Sequence, residues 1–399
     1  MEKQKIKYIN NNKLLGIEYD WKLIRKEFKK LKTPKELYNP CCEPLENSSY
    51  FMNLSMRSVG KTNQCILLGL VMNQLYETQI LLLRQTEEMT KPMNCKEMLN
   101  VLTDPDFDYI SKLTEGKYNY VYVFGKRWYY ALFDYEQEKI IEKADRPFMI
   151  MHSIDKPDVN KSSFNFPRGD IVIYDEFIGK YYHKNEFINY QHILSTIIRK
   201  RQCPKVFMLA NAIDRNSPYF EEMGIRKEVH KLSDGHDIQL VTRLGTPVHV
   251  RFIDADKTPE RLEVNRLFFG FDNPQMASIV GGGWAFNDYP HIPDGDRGQL
   301  LFNNIYVKHS GEYLHLCIYN NEKMGIYVTC TRGLSPKPDA CIFTSSVPQK
   351  SNEVFGFGYA DNHKMLWKLY NRRKFFYSTN EAGDLLDAYF KSVKQEYMI

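Results

Sequence analysis

The 399-residue sequence predicts an α/β unit followed by an α+β unit. Three observations predict it. Short, mainly apolar segments alternate with helical runs between Tyr50 and Leu209, the pattern of a mostly parallel sheet covered by helices. A Gly-Lys-Thr triplet, Gly60-Lys61-Thr62, lies where the first such strand gives way to the first such helical run. After about His230 the pattern changes to consecutive strands joined by short turns, which is the texture of antiparallel pairing.

In chain order, Trp21 to Leu31 places Leu23, Ile24, Phe28 and Leu31 at helical spacing with Lys and Arg between them. This basic amphipathic helix is expected to pack its apolar side on the main domain, a nucleic-acid arm being the alternative. Tyr38-Asn39-Pro40 and Asn47-Ser48-Ser49 are turns. Tyr50 to Leu54 reads as a strand, Asn63 to Leu75 as a helix, and Ile80 to Leu83 as a strand buried on both faces. Tyr118 to Phe133 alternates aromatic and polar residues about Gly125-Lys126, as a hairpin does. Ile171 to Tyr174 and Val206 to Leu209 are further buried strands, with a helix from Ile188 to Ile198 between them.

Ile238 to Leu244 and Val248 to Ile253 form a second hairpin about Gly245-Thr246-Pro247, and Gly281-Gly282-Gly283 lies in a loop-rich stretch. Leu300 to Val307, Tyr313 to Tyr319 and Gly325 to Cys330 are strands of an expected antiparallel sheet, followed by helices at Asn362 to Tyr370 and Ala382 to Val393. The expected division is an N-terminal extension over 1–37, an α/β domain over 38–229, a linker hairpin region over 230–262 and a C-terminal domain over 263–399.

Bulk composition narrows the function classes without choosing one. A net charge of +5, from 54 basic and 49 acidic residues, allows nucleic-acid binding but does not by itself indicate it. The eight cysteines contain no Cys-x-x-Cys pair, so neither a zinc site nor a disulfide framework is expected. Met1 to Ile9 lacks the apolar segment of a secretory signal, and the apolar stretch from Ile66 to Met72 is too short to span a bilayer. The expected compartment is cytosolic and reducing.

Two motifs carry chemistry. Ser55-Met56-Arg57-Ser58-Val59-Gly60-Lys61-Thr62 has P-loop spacing, with Ser55 where the first glycine usually stands. In such a loop the backbone N–H groups at the helix start converge on phosphates. Lys61 would face the terminal phosphates of ATP and the Thr62 hydroxyl would ligate Mg²⁺. The second motif, Ile171-Val172-Ile173-Tyr174-Asp175-Glu176, is a buried strand ending in paired acids. Asp175 would hold the Mg²⁺ shell and Glu176 would polarise the attacking water.

Three further groups are candidates. Asn211 ends a buried strand, where a polar side chain can sense the γ-phosphate. Arg199 and Arg201 lie at a helix end, as a trans-acting arginine finger would, or as basic residues compensating the helix dipole. Lys180 and Lys184, in the loop after Glu176, are candidates for touching DNA phosphates in a central channel, a solvated loop being the alternative.

Taken together these residues resemble the DNA-packaging ATPases of phi29-type phages. The resemblance lies in Tyr38-Asn39-Pro40, Met56 to Thr62, Ile173-Tyr174-Asp175-Glu176-Phe177-Ile178, Ala210-Asn211-Ala212 and Asn216-Ser217-Pro218-Tyr219-Phe220, in that order. It is clear from Tyr38 to Phe220; beyond that only the strand pattern of Leu300 to Cys330 is similar.

The resemblance implies a P-loop NTPase of the additional-strand (ASCE) type and a C-terminal domain like a degenerate RNase H nuclease. It further implies a homopentameric ring at the portal vertex of an empty procapsid, in the host cytoplasm, driving double-stranded DNA inward. Its partners would be DNA, the portal and a packaging RNA. By the same resemblance Arg199 acts in trans with Arg201 close by, Lys161 is a second trans-acting residue, and Arg57 belongs to the viral type of P-loop. Asp254, Asp256 and Asp294 are the candidate acids for a C-terminal nuclease, but their spacing does not form a two-metal site. The competing readings are a terminase-like enzyme with an active nuclease, a P-loop switch ATPase, and a helicase or partition ATPase.

Overall fold

A computed structural model describes residues 8–11, 14–55, 59–92, 100–155, 168–179, 182, 185–199, 201–211, 217–232, 235–253, 263, 266–268, 289–295, 297–356 and 361–394. The segment Gly281-Gly282-Gly283 lies outside them. Strands β1 (Tyr8–Asn11) and β2 (Leu14–Ile17) form an antiparallel ribbon, and helix α1 (Trp21–Lys30) follows. The Asp20 side chain caps α1 by accepting from the Leu23 N–H at 3.0 Å. Ile24 and Phe28 are buried in one core cluster with Leu67 and Val71 of the next long helix, so the amphipathic helix packs its apolar side on the main domain.

The next elements are β3 (Tyr50–Ser55), α2 (Lys61–Tyr76), β4 (Gln79–Arg84), α3 (Tyr109–Thr114), β5 (Tyr120–Phe124), β6 (Arg127–Asp134), β7 (Lys139–Lys143), β8 (Met149–Ser153) and β9 (Gly169–Asp175). They continue with α4 (Glu186–Ile198), β10 (Lys205–Asn211), α5 (Pro218–Glu222), α6 (Arg226–Lys231), β11 (Asp237–Val241) and β12 (Pro247–Phe252). These strands form one ten-stranded sheet in the order β11-β12-β3-β10-β9-β4-β8-β6-β5, with β7 paired to β6. From β12 to β8 all pairs are parallel. The apolar segments read as buried strands are just that: every residue of β9 is buried.

The middle of helix α2, Cys65 to Met72, is apolar on all sides and buried in the core. Gly69 permits its close approach to the sheet, since a Cβ there would meet Ile80 at 2.5 Å. The hairpin expected as a linker is instead the edge of this sheet, because β12 pairs in parallel with β3. Alternation revealed the hairpin, but pairing of Val248 with Tyr50 is a long-range contact that alternation does not encode.

The C-terminal elements are β13 (Gln299–His309), β14 (Glu312–Asn321), β15 (Gly325–Arg332), β16 (Cys341–Thr344), β17 (Glu353–Phe355), α7 (Asp361–Asn371), β18 (Phe375–Tyr377) and α8 (Asn380–Lys394). Their six-stranded sheet has the order β17-β16-β13-β14-β15-β18. The expected antiparallel sheet is corrected to a mixed one. β13, β14 and β15 are antiparallel, but β16 joins β13, β17 joins β16 and β18 joins β15 in parallel. The short turns fixed only the three central strands, and the flanking ones are three or four residues long with too little pattern to read. Ala382, Leu385, Leu386, Tyr389, Phe390 and Val393 form the apolar stripe by which α8 covers this sheet. Among the described residues, no helix is long and apolar enough to cross a membrane.

Candidate nucleotide site

Four parallel strands end side by side and each delivers a polar residue to the same edge. β3 ends at Ser55, β10 at Asn211, β9 at Asp175 and β4 at Arg84, and Asn211 is directly opposite Ser55 in the pairing. Carboxyl ends of parallel strands are where open α/β sheets bind ligands. A cleft of ≈ 410 Å³ lies there, lined by Gly60, Lys61, Thr62, Arg84, Asp175, Glu176 and Asn211 among others.

The loop before α2 turns on Gly60, whose φ of 70° is left-handed. It is tied to the Tyr38-Asn39-Pro40 turn by a 2.9 Å bond from the Tyr38 N–H to the Val59 carbonyl. Gly60 at the N-cap of α2 has no side chain to cap it, and the positive end of the helix dipole at this edge favours an anion. Lys61 is buried and its ammonium donates to Ser55 Oγ. Burial pushes the Lys61 pKa down to about 8, against the pull of Asp175. Ser55, at the expected first-glycine position, thus serves as an acceptor for the loop lysine.

Thr62 Oγ1 donates to Asp175 Oδ1 at 2.7 Å. Arg84 joins the two acids: Nη2 lies 2.6 Å from Asp175 Oδ2 and Nη1 lies 2.9 Å from Glu176 Oε2. Asp175 is buried, and desolvation raises its pKa despite Arg84 and Thr62. Glu176 is half-exposed with a left-handed φ of 56°, so the chain leaves β9 abruptly at this residue. Sequence reasoning missed Arg84. The available signal was a charged residue ending the apolar strand Gln79–Arg84, beside the strand that delivers Asp175.

The donor set fits Mg²⁺. A hydroxyl and a carboxylate converge on one wall, and Mg²⁺ takes a few protein oxygens and completes its shell with water and phosphate.

Arg199 is placed elsewhere. α4 runs 13 residues back from this edge, about 20 Å at helical rise. Its far end is marked by Arg201, which pairs with Asp170 and donates to the Gly169 carbonyl at 3.1 Å, both at the start of β9. Arg199 is exposed at that opposite edge, with φ 49° and its Nε donating to the Thr196 carbonyl at 3.0 Å.

Arg201 has a different setting from Arg199. It is buried in an ion pair with Asp170, whose other oxygen accepts from the Tyr19 hydroxyl at 2.5 Å, so it is engaged within its own chain. Met56, Arg57, Ser58, Lys161, Lys180, Lys184, Asp254 and Asp256 lie outside the described residues, and Asp294 is exposed in a loop before β13.

No protein-family model matches the chain. No curated protein matches it either. Its fold is similar to solved phage packaging motors. One is the Phi-28 gp11 DNA packaging motor, at 17% identity and TM-score 0.50, with 90% of this chain and 99% of that chain covered. Another is the bacteriophage Phi-29 viral genome packaging motor assembly, at 14% identity and TM-score 0.52, with 90% and 100% covered. The motif resemblance and the fold likeness thus point to the same group of proteins.

Proposed function

We propose that this chain is an ATPase that drives double-stranded viral DNA into a preformed procapsid. The observation that carries the reading is the gathering of Lys61, Thr62, Asp175 and Glu176 at one sheet edge, while Arg199 faces away at the other. β10 lies between β3 and β9, which supports the additional-strand class of P-loop NTPase.

In this reading the loop from Ser55 to Thr62 cradles ATP, and Lys61 faces its terminal phosphates. Mg²⁺, held by Thr62 and Asp175, would draw charge from the phosphate oxygens during transfer. Glu176 takes the water proton, and Asn211 reports the γ-phosphate. Arg84 bridges Asp175 and Glu176; a bound triphosphate would offer it another anionic partner and free Glu176 for water.

Arg199 is too far from its own cleft to stabilise the transition state there, so it serves a neighbouring subunit, together with Lys161. That makes hydrolysis depend on a ring, for which five subunits is the expected number. Lys180 and Lys184 contact DNA phosphates. The portal and a packaging RNA are the further partners, at the portal vertex in the host cytoplasm. The C-terminal domain is read as a vestigial RNase H-like module: a three-strand meander with parallel strands added beside β13, but with no carboxylate in β13 or β16 on which to build a metal site.

The test is packaging in vitro. Purified protein, proheads and DNA should yield nuclease-protected DNA only with ATP and Mg²⁺. ATP hydrolysis without protected DNA, in the presence of all partners, would contradict the packaging role.

A further inference from the structure

We infer that Glu186 is a positioning residue that carries the state of the nucleotide cleft to the helix presenting Arg199. This rests on the nucleotide-binding reading above. Glu186 opens α4 and is 2% exposed. Its Oε1 accepts from the Tyr219 hydroxyl at 2.8 Å and the Tyr174 hydroxyl at 3.2 Å, and those two phenols lie 2.8 Å apart. The Gln85 amide reaches the same oxygen at 3.4 Å and the Phe177 carbonyl at 3.5 Å, both long contacts.

The partners are neighbours in sequence of the cleft residues. Tyr174 precedes Asp175, Gln85 follows Arg84 and Phe177 follows Glu176. The loop after Glu176 is folded around the Gln85 amide so closely that a Cβ at Gly179 would lie 2.2 Å from Gln85 Oε1. In this inference an exchange of Arg84's acidic partners acts on Gln85, the next residue on the chain. Gln85 and Tyr174 both meet Glu186, and a carboxylate removed from water is held to its donors. From Glu186 the displacement passes along α4, one hydrogen-bonded rod, to Arg199 about 20 Å away. Tyr219 adds a branch: it belongs to α5, and the following helix α6 donates from Arg226 Nη1 to the Ser310 carbonyl of the C-terminal domain at 3.0 Å.

The experiment compares the full-length wild type with Glu186→Gln and Tyr219→Phe, using Mg²⁺ and the slowly hydrolysed analogue ATPγS as the probe. Nucleotide affinity is measured by titration, and backbone hydrogen exchange is followed over residues 186–199 with and without probe. The wild type should bind and change its exchange over α4. Both variants should bind with nearly unchanged affinity yet lose most of that change, and kcat in assembled protein should fall about tenfold with KM little altered, the scale of coupling along such networks. A purely structural role would lower thermal stability and leave the nucleotide response of the folded fraction intact, which overturns the inference. So does an exchange pattern that responds equally in all three proteins. Should Glu186→Gln fail to fold, Tyr219→Phe, which removes one hydroxyl, decides alone. A wild type that binds no ATPγS fails at the cleft itself and removes both readings, an outcome visible in the titration before exchange is measured.

Discussion

In the N-terminal sheet, β3, β10, β9 and β4 end together and deliver Ser55, Asn211, Asp175 and Arg84 to one edge. In the C-terminal sheet β13 and β16 also run parallel and end side by side. Their ends are occupied differently: Lys308 pairs with Glu353 at 2.8 Å, and His309 Nδ1 lies 2.7 Å from Ser345 Oγ. Desolvation, with Arg226 adding to it, pushes the His309 pKa below its ordinary value. Both sheets therefore set parallel strand ends side by side, but among the described residues the first gathers two acids there, held by Arg84 and Thr62, beside a helix N-terminus. A fold supplies the place and the side chains decide whether chemistry happens there.

The largest expected contrast is in turnover. Glu176→Gln should keep Mg²⁺-ATP binding and lose about 10²- to 10⁴-fold in hydrolysis, the range for a removed general base. Lys61→Ala should fail earlier, at binding. Asp294→Asn, beside the second sheet, should leave phosphate release unchanged. Loss of hydrolysis in Asp294→Asn would erase the distinction between the two regions.

Next in size is the charge balance at the first edge. Arg84→Ala leaves the buried Asp175 without its guanidinium, a loss on the order of 3 kcal/mol for a broken buried pair. Urea denaturation should show it, and Mg²⁺ with ATPγS should restore part of it by returning positive charge to the acids. An unchanged midpoint would mean that Arg84 contributes nothing to holding the free site together.

A smaller effect follows from Lys61. With its pKa pushed down to about 8, the free protein loses the ammonium above that pH. ATP binds the charged form, so affinity should be flat below about pH 8 and fall roughly tenfold per pH unit above it. Lys61→Arg, which does not titrate, should flatten the profile in ATPγS titrations. Equal profiles would show that another group sets the dependence.

The smallest concerns His249 on β12, at the far side of the same sheet. Burial disfavours its charge, but Glu43 at 2.6 Å and Asp237 at 2.8 Å outweigh that and raise its pKa above 6.5. A raised native pKa contributes stability that is fully present below pH 6.5 and is lost as pH rises through the native value. Thermal melts should therefore weaken on the alkaline side, and His249→Gln should remove that slope. A slope unchanged in the variant would assign it to other groups.

The parts of the fold that were legible in sequence are those with local signals. β9 and β10 are apolar runs long enough to be buried on both faces, and the Gly60-Lys61-Thr62 turn joins a strand to a helix. The strand order is a matter of long-range pairing, so β12 beside β3 was not visible. The same holds for the site. Lys61, Thr62, Asp175 and Glu176 carry motif spacing, whereas Arg84 becomes significant only when β4 is known to lie next to β9. Arg201 looked equivalent to Arg199 in sequence because the two are separated by one residue. Their partners separate them: Arg201 is buried against Asp170 and Arg199 is exposed.

The central claim is that the edge of the first sheet hydrolyses ATP only when a neighbour supplies Arg199. Mixing Arg199→Ala with Glu176→Gln tests it most directly, because each variant lacks a different half of the site. Arg199→Ala alone should bind ATP and hydrolyse about 10³- to 10⁵-fold more slowly, as when an arginine finger is removed. Together, at concentrations that permit assembly and with DNA and portal present, the two should regain hydrolysis. A subunit with intact Glu176 then meets a neighbour with intact Arg199. If mixing restores nothing across the full concentration range, Arg199 acts within its own subunit or only in the fold, and the shared site is contradicted.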